Sequence, residues 1–334
     1  MNPVLTPDIA IAGAGIIGVS VALELRSRGA SVVLLDTATA VGGASIAAAG
    51  MLAPEDPHNP TELSEFSAWS LSLYDGFLNR LGAMSGSVVP FQTTATVQYL
   101  DDTSTIRIRE RSIDPRQLAG AALAAVQRAA IPILEHCGKI EIVEQKSGVR
   151  LTPAHGGEVV AKTVIHASGA WFSGPLGGTP AIRPRKGQML RVQIPASLNL
   201  TEVHRSSSIY IVPRTQGPQA GGALIGATDE DAGFDLGTSQ ADLDLLRSRA
   251  AALLPGFGSP VEAPQVEAWA GLRPASRDGL PLIGRLLGST HQWLATGHYR
   301  NGILLAPGTA VALADLVENK PPAIDLRAFD PARL

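Results

Sequence analysis

The sequence predicts an α/β fold in which a Rossmann-like βαβ domain is interleaved with an antiparallel-sheet (α+β) domain. Three observations predict it. Residues 8–36 read as strand, glycine turn, helix, strand and acid. Segments up to about residue 180 continue to mix strands with helices, and from about residue 182 short strands follow one another through turns. At 334 residues the chain is also too long for one compact core, which suggests two domains.

The first stretch, DIAIAGAGIIGVSVALELRSRGASVVLLD, opens with a short apolar run over 9–12, fit for a buried strand. Gly13, Gly15 and Gly18 follow in the pattern G-x-G-x-x-G, and the apolar spacing then turns helical through Val21, Leu23 and Leu25. Each glycine has a job in dinucleotide binding. Gly13 permits the tight turn, Gly15 lets backbone approach a pyrophosphate, and Gly18 lets helix and strand pack closely. Phosphates then meet unpaired N–H groups at the positive end of the helix. Gly29 ends the helix, 32–35 form a second strand, and Asp36 can accept hydrogen bonds from ribose hydroxyls.

Composition narrows the class. Hydrophobic content of 45% with 17% charged residues belongs to a globular protein. A net charge of −3 argues against a broad nucleic-acid surface. The single cysteine, Cys137, excludes an internal disulfide, fits a reducing compartment and reads as a small buried hydrophobe. No segment reaches ~18 uninterrupted apolar residues, so no membrane span is expected, and no basic residue precedes the apolar run 9–23 as a signal sequence would require. A cytoplasmic protein is the expectation.

Residues 40–54, AVGGASIAAAGMLAP, are small and uncharged, suited to backbone lying against a flat ligand. Residues 61–82 show helical spacing through Leu63, Phe66, Trp69, Leu73, Phe77 and Leu81, with Thr61 as N-cap. Strands are expected over 88–100 and 106–108, a helix from Asp114-Pro115 to Ala130, and strands near 131–134, 139–143, 149–151 and 159–166. The last leads into Ala167-Ser168-Gly169, the form of a second close approach to the same ligand. Antiparallel strands follow over 187–194, 208–212 and 223–227, with a helix over 240–254. The chain then returns through Gly271-Leu272-Arg273-Pro274, forms a hairpin over 282–287 and 292–296, and ends in a helix from about Pro307 to Glu318.

The N-terminal fingerprint, the run Ala47-Ala48-Ala49-Gly50-Met51-Leu52, and the pair GLRP (271–274) and GHYRNGILLAP (297–307) resemble the FAD-dependent D-amino acid oxidase family, most of all its glycine oxidases of thiamine biosynthesis. The resemblance spans nearly the whole chain. It implies non-covalent FAD, in a fold dividing as 1–85, 113–180 and 265–334 for the FAD-binding domain and 86–112 and 181–264 for the substrate domain. It implies that Gly13, Ala14, Gly15, Ile16, Ile17 and Gly18 hold the cofactor. Asp36 and Thr37 would face the adenosine. Ala44, Ser45, Ala49, Gly50 and Met51 would lie along the cofactor, and Lys139, Ala167 and Gly169 would touch its nucleotide end. His298, Tyr299, Arg300, Asn301, Gly302, Ile303 and Leu304 would wrap the isoalloxazine. No cysteine lies near that last loop to form a covalent flavin link.

An amino acid oxidase needs a cation for the substrate carboxylate, and arginine offers a planar fork of donors. Arg273, flanked by Gly271 and Pro274, is the expected clamp, with Arg300 second. Tyr210 reads either as a pocket residue or as a strand aromatic. The N-terminus of the helix expected near Pro307 could stabilise negative charge on the reduced flavin. The implied reaction is oxidative deamination of glycine or another small amino acid by hydride transfer from Cα to flavin N5, with O2 giving H2O2 and the imine leaving for hydrolysis or thiazole synthesis. A dehydrogenase using another acceptor, or a non-catalytic flavin subunit, are the alternatives. The seven histidines are scattered and suggest no metal site. Homo-oligomers are common in the family. Departures from the family are the short segment 100–114, which would trim the pocket roof, and Ser208 and Asp229, which alter its polarity.

Overall fold

Strand Ile9–Ala12 is apolar and buried at all four positions because both of its faces are covered. Ile9 and Ile11 point into a large core with helices Ile16–Ser27, Pro115–Arg128 and Gly302–Val317. Ala10 and Ala12 face a three-stranded antiparallel sheet built from Ile140–Gln145, Gly148–Pro153 and Val159–Ala161. The computed structural model describes residues 4–101, 104–176 and 179–334. Among the described residues, Ile9–Ala12 is central in a six-stranded sheet of order Leu282–Arg285, Gln292–Thr296, Thr163–His166, Ile9–Ala12, Val32–Leu35, Ile133–Leu134. All its pairings are parallel except the hairpin at the 282 edge. The stretch expected as one strand over 159–166 is two strands in different sheets, divided at Lys162.

The second large sheet has seven strands, in the order Gln265–Ser276, Ile182–Gln193, Gly222–Gly226, Tyr210–Pro213, Val203–Arg205, Thr96–Tyr99, Thr105–Ile108. It is antiparallel apart from one parallel pair, Val203–Arg205 with Thr96–Tyr99. Helix Gln240–Leu253, capped by Ser239 accepting from the Asp242 N–H, packs Leu243, Leu246 and Ala250 against Leu190, Val192, Ile211 and Ile225. Residues 265–276, which the sequence reading returned to the first domain, instead pair with Ile182–Gln193 from Ile182–Ser276 to Val192–Gln265. The expected strand over 88–100 is likewise two. Phe91–Thr93 joins a small sheet with Met51–Leu52 and Arg111–Ile113, while Thr96–Tyr99 joins the seven-stranded sheet. The short segment 100–114 therefore holds strands Thr105–Ile108 and Arg111–Ile113, and its residues 102 and 103 lie outside the described ones.

Two helix expectations change. Residues 61–82 form a 3-10 turn Thr61–Leu63 and two helices, Ser64–Ser72 and Tyr74–Ser85. The break falls at Ser72, whose hydroxyl donates to the Trp69 carbonyl at 2.6 Å, while the Leu73 N–H donates to the Ser70 carbonyl. Thr61 makes no side-chain cap. The last helix begins at Gly302, five residues before Pro307. A proline there removes one ladder hydrogen bond and obstructs the carbonyl four residues back. That carbonyl, of Ile303, accepts from the Tyr74 hydroxyl at 2.5 Å. The Ser70 hydroxyl donates to the Leu304 carbonyl at 2.7 Å and accepts from the Gly308 N–H at 3.0 Å, bridging the next rung.

Candidate active site

A cavity of about 820 Å³ opens where the parallel strands end, lined by Ala12 and Gly13, Leu35 and Asp36, His166 and Ala167, and Thr296. The carboxyl ends of parallel strands are the usual ligand position in open α/β sheets, and the volume suits a large organic ligand. Its far wall is the seven-stranded sheet, through Gly187, Met189, Tyr210 and residues 271–274.

At the nucleotide end, Gly13, Gly15, Ile16 and Ile17 line the wall. Ala14, Gly18 and Leu304, expected to hold the cofactor, do not: Ala14 is fully buried and Leu304 is 1% exposed. Gly18 acts beneath the site, since a Cβ there would lie 2.0 Å from the Gly13 carbonyl oxygen. Asp36 accepts from the Ala14 N–H at 2.7 Å on one oxygen and from the Ala38 N–H at 2.9 Å on the other. Each oxygen keeps a second lone pair, enough for ribose hydroxyls. Thr37, Lys139 and Gly169 line the same end.

The small-residue run forms one long side. Ala44, Ser45, Ala49, Gly50 and Met51 all line the cavity, Ala44–Ala47 as a short helix and Met51–Leu52 as a strand. Ser45 Oγ accepts from the Ile16 N–H at 2.9 Å, which leaves its own proton free to donate. Behind this wall Arg214, 1% exposed, donates to the Ala49 carbonyl at 2.9 Å, and the Trp269 indole N–H donates to the Ala47 carbonyl at 3.1 Å. Such a wall of mostly small residues leaves room for the planar ring and pyrophosphate of a flavin dinucleotide.

The other end is cationic. Arg273, on strand Gln265–Ser276, donates from Nη1 to the carbonyls of Thr228 (3.1 Å) and Lys186 (3.3 Å) and lies 3.8 Å from Asp229. Asp229 is shared with Arg185 at 3.0 Å and accepts from the Tyr299 hydroxyl at 2.7 Å. Burial pushes this carboxyl up, but Tyr299 and the arginines outweigh it and hold Asp229 below the usual carboxylate range. Asp229 and Ser208 stand outside the cavity lining. Arg300 lines the cavity and is exposed; it makes no hydrogen bond or ion pair among the described residues. Burial pushes the Tyr210 hydroxyl up, opposed by Arg273 and Arg300. His298 is 3% exposed, its Nε2 3.0 Å from Thr309 Oγ1, and burial lowers its pKa to about 3, so it is neutral near pH 7. Tyr299, Asn301, Gly302 and Ile303 complete this end, the last two in the first turn of helix Gly302–Val317.

Sequence reasoning missed Asp56, Asn59, Trp171 and Met189, all of which line the cavity. For the turn at 53–59 a local signal existed: Asp56 two residues before His58, between prolines, is the pattern of an Asx turn. Cys137 is 1% exposed, with its thiol 3.1 Å from the Leu134 carbonyl. Among the described residues no His, Cys, Asp and Glu cluster could hold a metal ion, and no helix is long and apolar enough to cross a membrane.

Comparison with known proteins gives the family and the fold. The family model for DAO, described as FAD dependent oxidoreductase, matches residues 8–112 and 101–316. A glycine oxidase of Geobacillus kaustophilus (strain HTA426) is 30% identical, over 98% of this chain and 97% of that one. The bifunctional protein ThiO/ThiG of Trichormus variabilis is 33% identical over 95% of this chain, which spans 53% of it. The crystal structure of glycine oxidase from Geobacillus kaustophilus superposes with a TM-score of 0.90 at 29% identity, covering 99% of both chains.

Proposed function

Because this chain belongs to the DAO family of FAD-dependent oxidoreductases, we propose that it oxidatively deaminates a small amino acid, glycine foremost, with oxygen as electron acceptor. The observation that carries the reading is Arg273, Arg300 and Tyr210 meeting at the end of the cavity opposite Asp36. A dinucleotide held by Asp36, the Gly13–Gly15 turn and the 44–51 wall would bring its ring toward these arginines. Bound FAD would accept the two electrons and the Cα hydrogen, and pass the electrons to oxygen.

The chain's own residues bind and orient. Arg273 has Nη1 committed to two carbonyls, which fixes the guanidinium plane and leaves its other donors for a substrate carboxylate. Arg300 adds a second cation that makes no hydrogen bond or close ion pair among the described residues, so its donors can meet the carboxylate. Tyr210, half-buried and raised in pKa, stays un-ionised and can donate its hydroxyl proton. Neutral His298 packs the loop and is not an imidazolium acid at pH 7. No side-chain base is needed if the amine arrives unprotonated. The resemblance to a ThiO/ThiG protein supports the imine entering thiazole synthesis. The single free, buried cysteine suits the cytoplasm.

The test is anaerobic addition of glycine, sarcosine and D-alanine to the purified yellow protein, followed by air. Bleaching by one of them, with recolouring and one H2O2 per turnover, supports the reading. Bleaching without recolouring in air makes the protein a dehydrogenase. No bleaching by any of them sinks the amino acid assignment.

A further inference from the structure

Selecting an amino acid over other small acids takes two opposite recognition groups, a cation for the carboxylate and an acceptor for the amine. Two acidic residues line the cavity among the described residues, Asp36 and Asp56. Asp36 is at the nucleotide end and bonds the backbone on both oxygens. Asp56 is at the arginine end: Arg205 and Arg300 act on its carboxylate, and the same Tyr210 senses Asp56, Arg273 and Arg300 together. We propose that Asp56 receives the amine of the substrate and sets the preference for amino acids over hydroxy acids and simple carboxylic acids of the same size. This rests on the amino acid oxidase reading given above.

The carboxylate is divided between two tasks. Oδ1 accepts from the His58 N–H at 2.9 Å and lies 3.0 Å from His58 Nδ1, which fixes the side chain on its turn. Oδ2 accepts no hydrogen bond; its nearest cation is Arg205 Nη1 at 3.5 Å. The turn is closed by the Asn59 N–H on the Asp56 carbonyl at 2.9 Å. Asn59 Oδ1 in turn accepts from Asn301 Nδ2 at 2.8 Å, so the segment carrying Asp56 is pinned beside the loop carrying Arg300. Asp56 thus lines the same cavity as Arg273 and Arg300, held on its turn through Oδ1, with Oδ2 free of hydrogen bonds and 3.5 Å from Arg205 Nη1. Burial pushes the Asp56 carboxyl up, but Arg205, the His58 bonds and Arg300 outweigh it, so it stays ionised and accepts a hydrogen bond without taking the amine's proton.

The test compares wild type with Asp56→Asn, which keeps an acceptor for the His58 N–H. Glycine affinity is read from saturation of anaerobic flavin reduction, and acetate affinity from its perturbation of the oxidised flavin spectrum. The expected result is a weakening of glycine by about 10- to 100-fold, the range for one charged hydrogen bond, with acetate unchanged or tighter. Equal glycine affinity in both proteins overturns the proposal, and so does a parallel loss of glycine and acetate. Should Asp56→Asn emerge without flavin, Asp56→Ser, which also retains an acceptor for the turn, is read by the same criteria. If wild type is reduced by no amino acid, the oxidase reading itself has failed, whereas a reducible wild type matched by the variant removes Asp56 alone.

Discussion

Gly187 and Arg273 lie on neighbouring antiparallel strands, and a Cβ on Gly187 would stand 2.2 Å from Arg273 Nη2 and 2.5 Å from its Cζ. The guanidinium rests on the space that the missing side chain leaves. Gly187→Ala should therefore push Arg273 off the Thr228 and Lys186 carbonyls while sparing the fold, because the clashing atoms end a flexible side chain. We expect KM for the amino acid to rise by about tenfold or more, with a much smaller change in melting temperature. Unchanged KM would mean that Arg273 is not the carboxylate clamp.

Tyr74→Phe removes the donor that serves the Ile303 carbonyl, orphaned by Pro307. Leaving that buried acceptor unpaired should cost about 1–3 kcal/mol in urea unfolding. The double variant Tyr74→Phe/Pro307→Ala restores a backbone donor at 307 and should recover most of the loss. Equal losses in the single and double variants would count against the account.

Arg205 and Glu110, each 2% exposed, form a buried pair with Nη1–Oε2 at 3.1 Å. Arg205→Met strands Glu110, takes the cation from Asp56 Oδ2 as well, and should destabilise the protein by about 3–5 kcal/mol. Adding Glu110→Gln should regain a large part of it, because Gln98 and Thr96 stand nearby as polar neighbours. A double-mutant cycle that shows simple additivity would dismiss the pair as a unit.

His298 carries a pH signature. Its folded pKa, about 3, lies below the ordinary value of 6.5, so the unfolded chain binds more protons between the two. The stability of the neutral form is fully present above pH 6.5 and is lost as pH falls from there toward 3. Each pH unit in that window should cost wild type about 1.4 kcal/mol more than His298→Gln. Denaturation at pH 7, 6 and 5 measures the difference, and parallel slopes would refute it.

The legible parts of the molecule were local. Gly13, Gly18 and Asp36 sit within one βαβ unit, so their spacing alone carried the geometry. Asp56 was not legible, because its place depends on the contact of Asn59 with Asn301, 242 residues away in sequence. Pro307 misled for the same kind of reason: it reads locally as a helix start, but Ser70 and Tyr74 from two other helices serve the carbonyls around it and let the helix begin at Gly302. The end of the seven-stranded sheet was misread because pairing partners, unlike periodicity, are not written within the strand itself.

Strand Gln265–Ser276 touches both halves of the cavity. Trp269 holds the Ala47 wall, Arg273 meets Gly187, the Pro274 carbonyl accepts from the Tyr299 N–H at 2.9 Å, and Ala275 bridges to His298. Spacing between the cofactor wall and the arginine is thereby set by strand rise, about 3.3 Å per residue. Gaining or losing one residue between 269 and 273 would turn the arginine to the opposite face. Lineages built on this frame can trade side chains freely in the flanking loops, but this strand works as a ruler whose length must be inherited intact.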